Sequence, residues 1–129
     1  IILIAMIFLK NTDKNSNNIV TKNMEVNYDI VNPRFTINNE NEKISIKAKG
    51  GNFLSNEKVL LEKNVVFKSP KFTLLTEKVI FDQTDQSAES SEKSKFRSKK
   101  TTIISEGFII NEKGNVIFFN GNTILKLDK

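Results

Sequence analysis

From Tyr28 onward, apolar and polar residues alternate in short runs, as they do in β-strands with one buried face. The clearest run is residues 43–49, in which Ile44, Ile46 and Ala48 fall on one face and the lysines on the other. Turn residues, chiefly Asn, Gly and Ser-Pro, separate such runs roughly every 6 to 12 residues, and Gly50-Gly51-Asn52 is one of the predicted turns. The pattern therefore predicts an all-β fold, an antiparallel sandwich, barrel or open roll without a convincing helix.

Short strands are predicted between these turns. Pro33 interrupts the first pair and indicates an edge strand or a bulge, because proline has no backbone donor. The polar residues 83–100 are predicted to form a long loop with an incidental strand near Phe96. Residues 116–119 and 123–127 are predicted to pair as a closing hairpin. The predicted segments are 28–30, 35–37, 43–49, 53–54, 59–61, 65–67, 72–76, 79–81, 103–105, 108–110, 116–119 and 123–127.

The first nine residues, IILIAMIFL, are wholly apolar. A bilayer core about 30 Å thick requires roughly 20 apolar residues in a helix, so this stretch covers about half of it. The chain does not begin with Met, and the simplest interpretation is that residues 1–9 are the end of a truncated transmembrane helix. Residues 10–25 then form a polar juxtamembrane linker, and residues 26–129 form the β domain. The alternatives are a signal-peptide core, although no small-residue cleavage site follows it, and a buried first strand.

The composition excludes the commonest catalytic and metal-binding sites. The chain contains no Cys, no His and no Trp. Disulfides, zinc–thiolate sites, cysteine nucleophiles and the usual hydrolase triads therefore cannot be built. The carboxylates show no catalytic pairing, and no phosphate-binding pattern follows Gly50-Gly51. The sequence predicts a protein that is not an enzyme and that requires neither a cofactor nor a metal.

The net charge of +5 comes almost entirely from lysine, since Arg34 and Arg97 are the only arginines. The lysines are interleaved with acidic residues along the chain, which is typical of solvated strand faces. A basic nucleic-acid-binding β-barrel is an alternative, and its affinity would fall steeply with salt. The shortage of Arg and the single Tyr leave few groups for base contacts and stacking, so we predict no nucleic-acid partner.

The ten phenylalanines are the side chains of this chain that could most readily form a functional apolar surface. They either fill an ordinary core or line an apolar groove that holds acyl chains, because a roll left open at one edge can admit a lipid. Both interpretations stay open at this point. Strand alternation selects the candidate lining residues, which are Ile44, Ile46, Ala48, Phe72, Leu74, Val79, Phe81, Phe108 and Ile110.

Three segments resemble the LptC family, the bitopic component of the lipopolysaccharide export machine. Residues 28–37 (YDIVNPRFTI) are similar to its opening strand, and residues 102–127 (TIISEGFIINEKGNVIFFNGNTILKL) are similar to its closing module. Residues 59–82 (VLLEKNVVFKSPKFTLLTEKVIFD) resemble middle repeats that the family shares with the periplasmic bridge protein LptA. The resemblance covers the chain from Val26 onward and is supported by the apolar N-terminal stub.

This resemblance implies an antiparallel β-jellyroll in the periplasm, held by a single-pass inner-membrane helix. Family members are not enzymes. They bind the acyl chains of lipid A inside the roll, receive lipopolysaccharide from the inner-membrane ABC transporter and pass it to LptA. The alternative is a soluble LptA-like periplasmic bridge whose stub is a leftover signal peptide.

Partners of this family dock by adding strands to open edges. We expect the transporter at the N-terminal edge, where Pro33 restricts strand addition, and the LptA-like acceptor at the C-terminal edge, which has no Pro. The predicted edge residues are Tyr28, Ile30 and Phe35 on the N-terminal side and Thr123, Leu125 and Leu127 on the C-terminal side.

Overall fold

Twelve strands form one continuous antiparallel sheet that is folded over on itself. The computed structural model describes residues 27–128, and the predicted anchor (residues 1–9) and linker (residues 10–25) lie outside the described residues. Within this range the single helical element is a 3-10 turn at Glu112–Gly114, and no helix there is long and apolar enough to cross a membrane. The strands are β1 Ile30–Val31, β2 Arg34–Asn38, β3 Lys43–Lys47, β4 Gly50–Phe53, β5 Lys58–Lys68, β6 Phe72–Asp82, β7 Ser87–Ser90, β8 Ser94–Ser98, β9 Thr101–Ser105, β10 Gly107–Asn111, β11 Val116–Asn120 and β12 Ile124–Leu127.

The long β5–β6 hairpin belongs to two layers at once. The start of β5 pairs with β4 and the end of β6 pairs with β7, which gives the order β1-β4-β5-β6-β7-β10-β11, called here the first layer. The end of β5 pairs with β3 and the start of β6 pairs with β8. These pairings give the order β2-β3-β5-β6-β8-β9-β12, called here the second layer. The architecture is that of an open, jellyroll-like β domain.

A β-bulge in β5 marks the place where the hairpin passes from one layer to the other. The register steps from Glu62↔Lys78 to Val65↔Thr76, so β5 has one residue more than β6 at this point. The two residues between, 63 and 64, have positive φ angles of 70° and 52°. Bulges bend a strand and increase its twist without ending it. The sequence predicts separate segments at 59–61 and 65–67, and again at 72–76 and 79–81. This prediction is wrong, because pairing continues through the bulge and each pair of segments forms one long strand, β5 or β6.

The faces that the two layers turn toward each other form one hydrophobic core. Because apolar residues alternate along each strand, one face of each layer becomes continuous and apolar once the strands are in register. Removal of this surface from water, at about 25 cal/mol per Å², is the main force that holds the layers together. The largest fully buried side chains are Phe67, Phe81, Phe108, Ile37, Ile44, Ile46, Leu61, Leu74, Ile110, Val59, Val65 and Val79.

The polar residues 83–100 form two strands, β7 and β8, and the prediction of a long loop is wrong. Their inward positions next to the bend carry Ser90 and Ser94, which are buried together with Thr76 of β6. Ser94 Oγ donates to Thr76 Oγ1 at 3.2 Å, and Ser90 Oγ donates to the Lys78 carbonyl at 2.6 Å. These hydroxyls have hydrogen-bond partners inside the fold, so serine can occupy an inward position in β7 and β8. The two strands therefore lack the alternation of apolar and polar residues that marks the other strands.

Gly50 and Gly51 lie in strand β4, and the predicted turn at this site is wrong. The ring of Tyr28 covers Gly50 so closely that a Cβ atom there would overlap the ring. Glycine is required because it lets the aromatic ring lie directly on the backbone. Leu54, predicted to continue a strand after Phe53, lies in the following bend.

The last two strands do not pair with each other, so the predicted closing hairpin is also wrong. β11 pairs with β10 in the first layer, and β12 pairs with β9 in the second layer. The intervening Gly121 has a positive φ of 77°. A turn signal in the sequence does not distinguish a chain that reverses within one layer from a chain that crosses to the other layer.

Candidate functional site: the apolar interior and the open edges

The nine side chains predicted to line an apolar interior all lie in one buried cluster. Ala48 and Phe72 are 8% exposed, and the other seven are 2% exposed or less. Their burial is observed, while their role as lipid contacts stays a prediction. The cluster contains six further residues that the candidate set omitted although the same alternation marks most of them. These are Ile37, Val59, Leu61, Val65, Phe67 and Ala88.

Aromatic rings from the two layers interlock inside this cluster. Phe35 of β2 lies 5.2 Å from Phe81 of β6, measured between ring centroids. Phe96 of β8 meets Phe119 of β11 edge to face at 5.5 Å. The centre of the roll is therefore filled by its own side chains. A ligand would reach apolar surface most readily where the layers separate at their edges.

One cross-strand row on the inner face of the second layer runs from the core to an open edge. Each member pairs with the next, and every member is apolar. Burial decreases along the row, from fully buried positions in its middle to Leu125 at the edge, which is 58% exposed. On the same edge Leu127 also belongs to the inner face and is 70% exposed. The row is Phe35, Ile46, Phe67, Leu74, Phe96, Ile103 and Leu125.

Among the described residues, no strand other than β9 pairs with β12, so this edge has backbone groups that face away from the sheet. The Asp128 amide donates to the Lys100 carbonyl at 2.8 Å, in the register that pairs β12 with β9. Hydrogen-bonded pairs alternate with non-hydrogen-bonded pairs along antiparallel strands. The Lys126 amide therefore points toward β9, while the amides of Leu125 and Leu127 point away from it. These two amides form a template to which another strand could pair.

The N-terminal edge is more obstructed. In β2 the same alternation directs the Asn38 amide away from β3, and the Gln86 side chain already accepts its hydrogen bond at 2.7 Å. Pro33, directly before β2, is buried and has no amide hydrogen. Neighbouring β1 contains only two residues. By the same alternation the Arg34 and Thr36 amides also point away from β3, so strand addition on this side is limited to this short stretch of β2.

The predicted edge residues occupy different environments. The Tyr28 ring packs on Gly50, and Phe35 contacts the core, so both side chains serve the fold itself. Ile30 is half-buried in β1. Thr123 lies just before β12, where its hydroxyl donates to the Gly121 carbonyl at 3.0 Å. Leu125 and Leu127 are the exposed apolar members of the predicted set.

Each layer ends in one N-terminal strand and one C-terminal strand. The first layer runs from β1 to β11, and the second runs from β2 to β12. The two ends of the chain thus supply all four edges of the folded sheet. In residues 27–128, no group of three or more acidic side chains is arranged to hold a metal ion.

Comparison with known families identifies one match that spans most of the chain. The sequence model of the family described as lipopolysaccharide-assembly, LptC-related, matches residues 10–124. This range includes every strand from β1 to β11 and ends at the first residue of β12. The comparison with curated proteins gave no match.

Proposed function

Because the chain belongs to the LptC-related family of lipopolysaccharide-assembly proteins and so has a role in lipopolysaccharide transport, we propose that its roll holds the acyl chains of lipid A. The protein receives lipopolysaccharide from an inner-membrane ABC transporter and passes it to an LptA-like periplasmic protein. This transfer breaks no covalent bond and needs no catalytic group.

The apolar row that ends at Leu125 carries this proposal. An acyl chain is stabilised by about 0.8 kcal/mol for each methylene that leaves water. The row presents apolar surface without interruption from exposed Leu125 through half-buried Ile103 and Phe96 to buried Leu74. A lipid chain could thus enter at the edge and remain in apolar contact as it moves inward between the layers. The nine candidate lining residues lie at the inner end of this path.

The two kinds of edge support a direction of transfer. Strand addition uses main-chain hydrogen bonds, so it requires an edge with free amides and no proline. The C-terminal edge at β12 meets this requirement, and we assign the LptA-like acceptor to it. The obstructed N-terminal edge at β1 and β2 receives the periplasmic part of the transporter.

The apolar N-terminal stretch, residues 1–9, anchors the protein as a single-pass component of the inner membrane in this proposal, with residues 27–128 in the periplasm. The alternative is a soluble LptA-like bridge. Recovery of the mature protein from washed membranes would support the anchor. Recovery in the osmotic-shock fraction would instead support the soluble bridge.

Photo-crosslinking tests the lipid path. A photoreactive amino acid at Phe72, Phe81 or Phe108 is expected to label purified lipopolysaccharide. These three positions are buried, so a second set of crosslinking positions is placed nearer the edge of the path, at half-buried Ile103 and exposed Leu125.

Matched controls lie on the outer face of the first layer, at Leu60 and Lys78. Strong labelling at the inner-face positions and weak labelling at the controls supports the proposal. Similar labelling at both sets of positions would exclude an interior path. Labelling at Leu125 but at no buried position would restrict the lipid to the edge and overturn the role of the nine core residues.

A further inference from the structure

The outward strand positions of the second layer are strongly basic. Buried and exposed residues alternate along these strands, and residues that are paired across strands lie on the same face. The outward residues of each strand can therefore be identified from the register. These positions carry seven exposed cations and no carboxylate, and the nearest acidic strand residue is Glu77 at the bend. The cations, here called the basic face, are Arg34, Lys43, Lys47, Lys68, Lys95, Arg97 and Lys126.

The outward strand positions of the first layer carry a small net negative charge instead of a positive one. Its outward strand residues include two lysines and three carboxylates, which are Lys58, Lys78, Glu62, Asp82 and Glu89. Lys78 Nζ lies 3.6 Å from Glu62 Oε2, so part of this charge is already paired. Among the outward strand positions, the excess positive charge is thus concentrated on the second layer. A partner attracted by charge would approach the second layer.

An apolar row crosses the basic face. Val66, Leu75, Ile104 and Ile124 occupy equivalent outward positions on β5, β6, β9 and β12, with Lys95 of β8 between Leu75 and Ile104. Leu75 is 40% exposed and Ile124 is 56% exposed. Val66, Leu75 and Ile104 of this row line a surface depression of about 640 Å³, whose rim also includes Lys93, Lys95 and Glu77. The cations of this face can contact an anionic surface, while the apolar side chains among them can contact an apolar layer beneath that surface. This arrangement suits a partner that has both.

From this charge segregation and apolar row, we infer that the basic face docks on the surface of an anionic lipid bilayer. Lysine side chains suit this role because their apolar stems can lie in the interface while their ammonium groups reach lipid phosphates. A single-stranded nucleic acid fits less well, because the outward strand positions of this layer carry no aromatic residue for base stacking. The inference goes beyond the proposed function, since it assigns a second face that needs no lipopolysaccharide.

The absence of Cys allows a direct test with the full chain. Ile124→Cys on the basic face and Phe118→Cys on the outer face of the first layer occupy edge strands and are similarly exposed, at 56% and 54% for the native side chains. Each variant is labelled with an environment-sensitive fluorophore and mixed with lipopolysaccharide-free vesicles. One set of vesicles contains phosphatidylglycerol and phosphatidylcholine, and the other contains phosphatidylcholine alone.

The expected result is a blue shift of the probe at position 124 only, only with phosphatidylglycerol vesicles, and reversed by high salt. Removal of two cations in Lys47→Gln/Lys95→Gln should reduce the docking equilibrium constant about 25-fold, at roughly five-fold per charge. The matched variant Lys58→Gln/Lys78→Gln, which removes two lysines from the first layer, should change it less than about two-fold. Thermal unfolding of all variants checks that the fold is retained.

Equal shifts at positions 118 and 124, or a shift with phosphatidylcholine alone, would overturn the inference. Displacement of the protein from vesicles by inorganic phosphate at constant ionic strength would identify a binding site for free anions instead of a bilayer. Displacement by a DNA oligonucleotide at equal charge concentration would favour a nucleic acid. None of these results depends on lipopolysaccharide, so a failure here leaves the crosslinking test of the interior path unaffected.

Discussion

Phe67 of β5 and Phe108 of β10 meet edge to face in the middle of the core, with ring centroids 5.7 Å apart and ring planes at 90°. Phe67 belongs to the second layer and Phe108 to the first. Both side chains are fully buried. Aromatic pairs of this geometry contribute about 0.5–1.5 kcal/mol beyond the area that they bury. The contact therefore joins the second-layer end of the shared hairpin, through Phe67, to strand β10 of the first layer, which is distant from β5 in sequence.

Substitution of Phe108 by Ala should destabilise the domain by about 3–5 kcal/mol, because it leaves a cavity between the layers. Phe118, on the neighbouring strand, points outward and is 54% exposed, so Phe118→Ala should cost less than about 1 kcal/mol. Urea unfolding followed by circular dichroism measures both values. Equal losses would show that the layers are not held together through Phe108.

Gly107→Ala should destabilise the junction between β7 and β10. A Cβ atom at this position would lie 2.5 Å from the backbone carbonyl oxygen of Ser90, which cannot move without displacing its strand. The expected loss is about 1–3 kcal/mol, as for other overpacked sites. Asn115→Ala, in the exposed turn before β11, serves as the control and should be nearly neutral. Unchanged thermal stability of the Gly107 variant would contradict this packing.

Ser90→Ala should destabilise the bend, although alanine fits the space. The Ser90 hydroxyl donates to the Lys78 carbonyl and accepts from the Glu92 amide at 3.0 Å, so its removal leaves two partly buried backbone groups without this partner. The expected cost is about 1–3 kcal/mol. Ser45→Ala should change stability by less than about 0.5 kcal/mol, because the Ser45 hydroxyl lies on the outer face at 3.5 Å from its acceptor. Comparable losses in the two variants would show that the hydroxyl cluster has no special role.

Leu125→Pro should abolish binding of the LptA-like acceptor and leave transporter binding intact. The Leu125 amide points away from β9, so proline removes a donor that only an added strand could use. Lys126→Pro is the contrasting variant, because it breaks the ladder to β9 and should detach β12 itself. Pull-down assays with each purified partner measure binding, and hydrogen exchange of the β9 amides reports the ladder. Release of the transporter by Leu125→Pro, with acceptor binding retained, would show that the assigned direction is reversed.

The inner faces of most strands could be predicted from the sequence, because an antiparallel strand with one buried face must alternate. Ile44, Ile46, Phe72 and Leu74 were assigned to one interior on this basis, and all four are buried. Local composition likewise predicted the all-β class and the break at Pro33. These features depend only on neighbours in the chain, so the sequence is sufficient to determine them.

Strands β7 and β8 could not be recognised in the same way. Ser90 and Ser94 occupy inward positions, and their burial depends on hydroxyl partners such as Thr76, which lies more than a dozen residues away. The partner of β12 was likewise undetermined, since the turn at Gly121 is compatible with either layer. Both features are decided by contacts between distant segments, and a periodicity within one segment contains no information about them.

The distribution of charge likewise depends partly on the sequence and partly on contacts that only the tertiary structure shows. Along the chain the lysines are interleaved with acidic residues, a pattern that predicts solvated strand faces and no basic binding stripe. In the folded sheet, however, Lys47, Lys95 and Lys126 lie on one outer face although long stretches of sequence separate them. The sequence alone determined which residues point inward in the strands whose apolar residues alternate, through the period of two that burial imposes. Only the tertiary structure decided which outward residues become neighbours, because that depends on strand register and on which layer each strand joins.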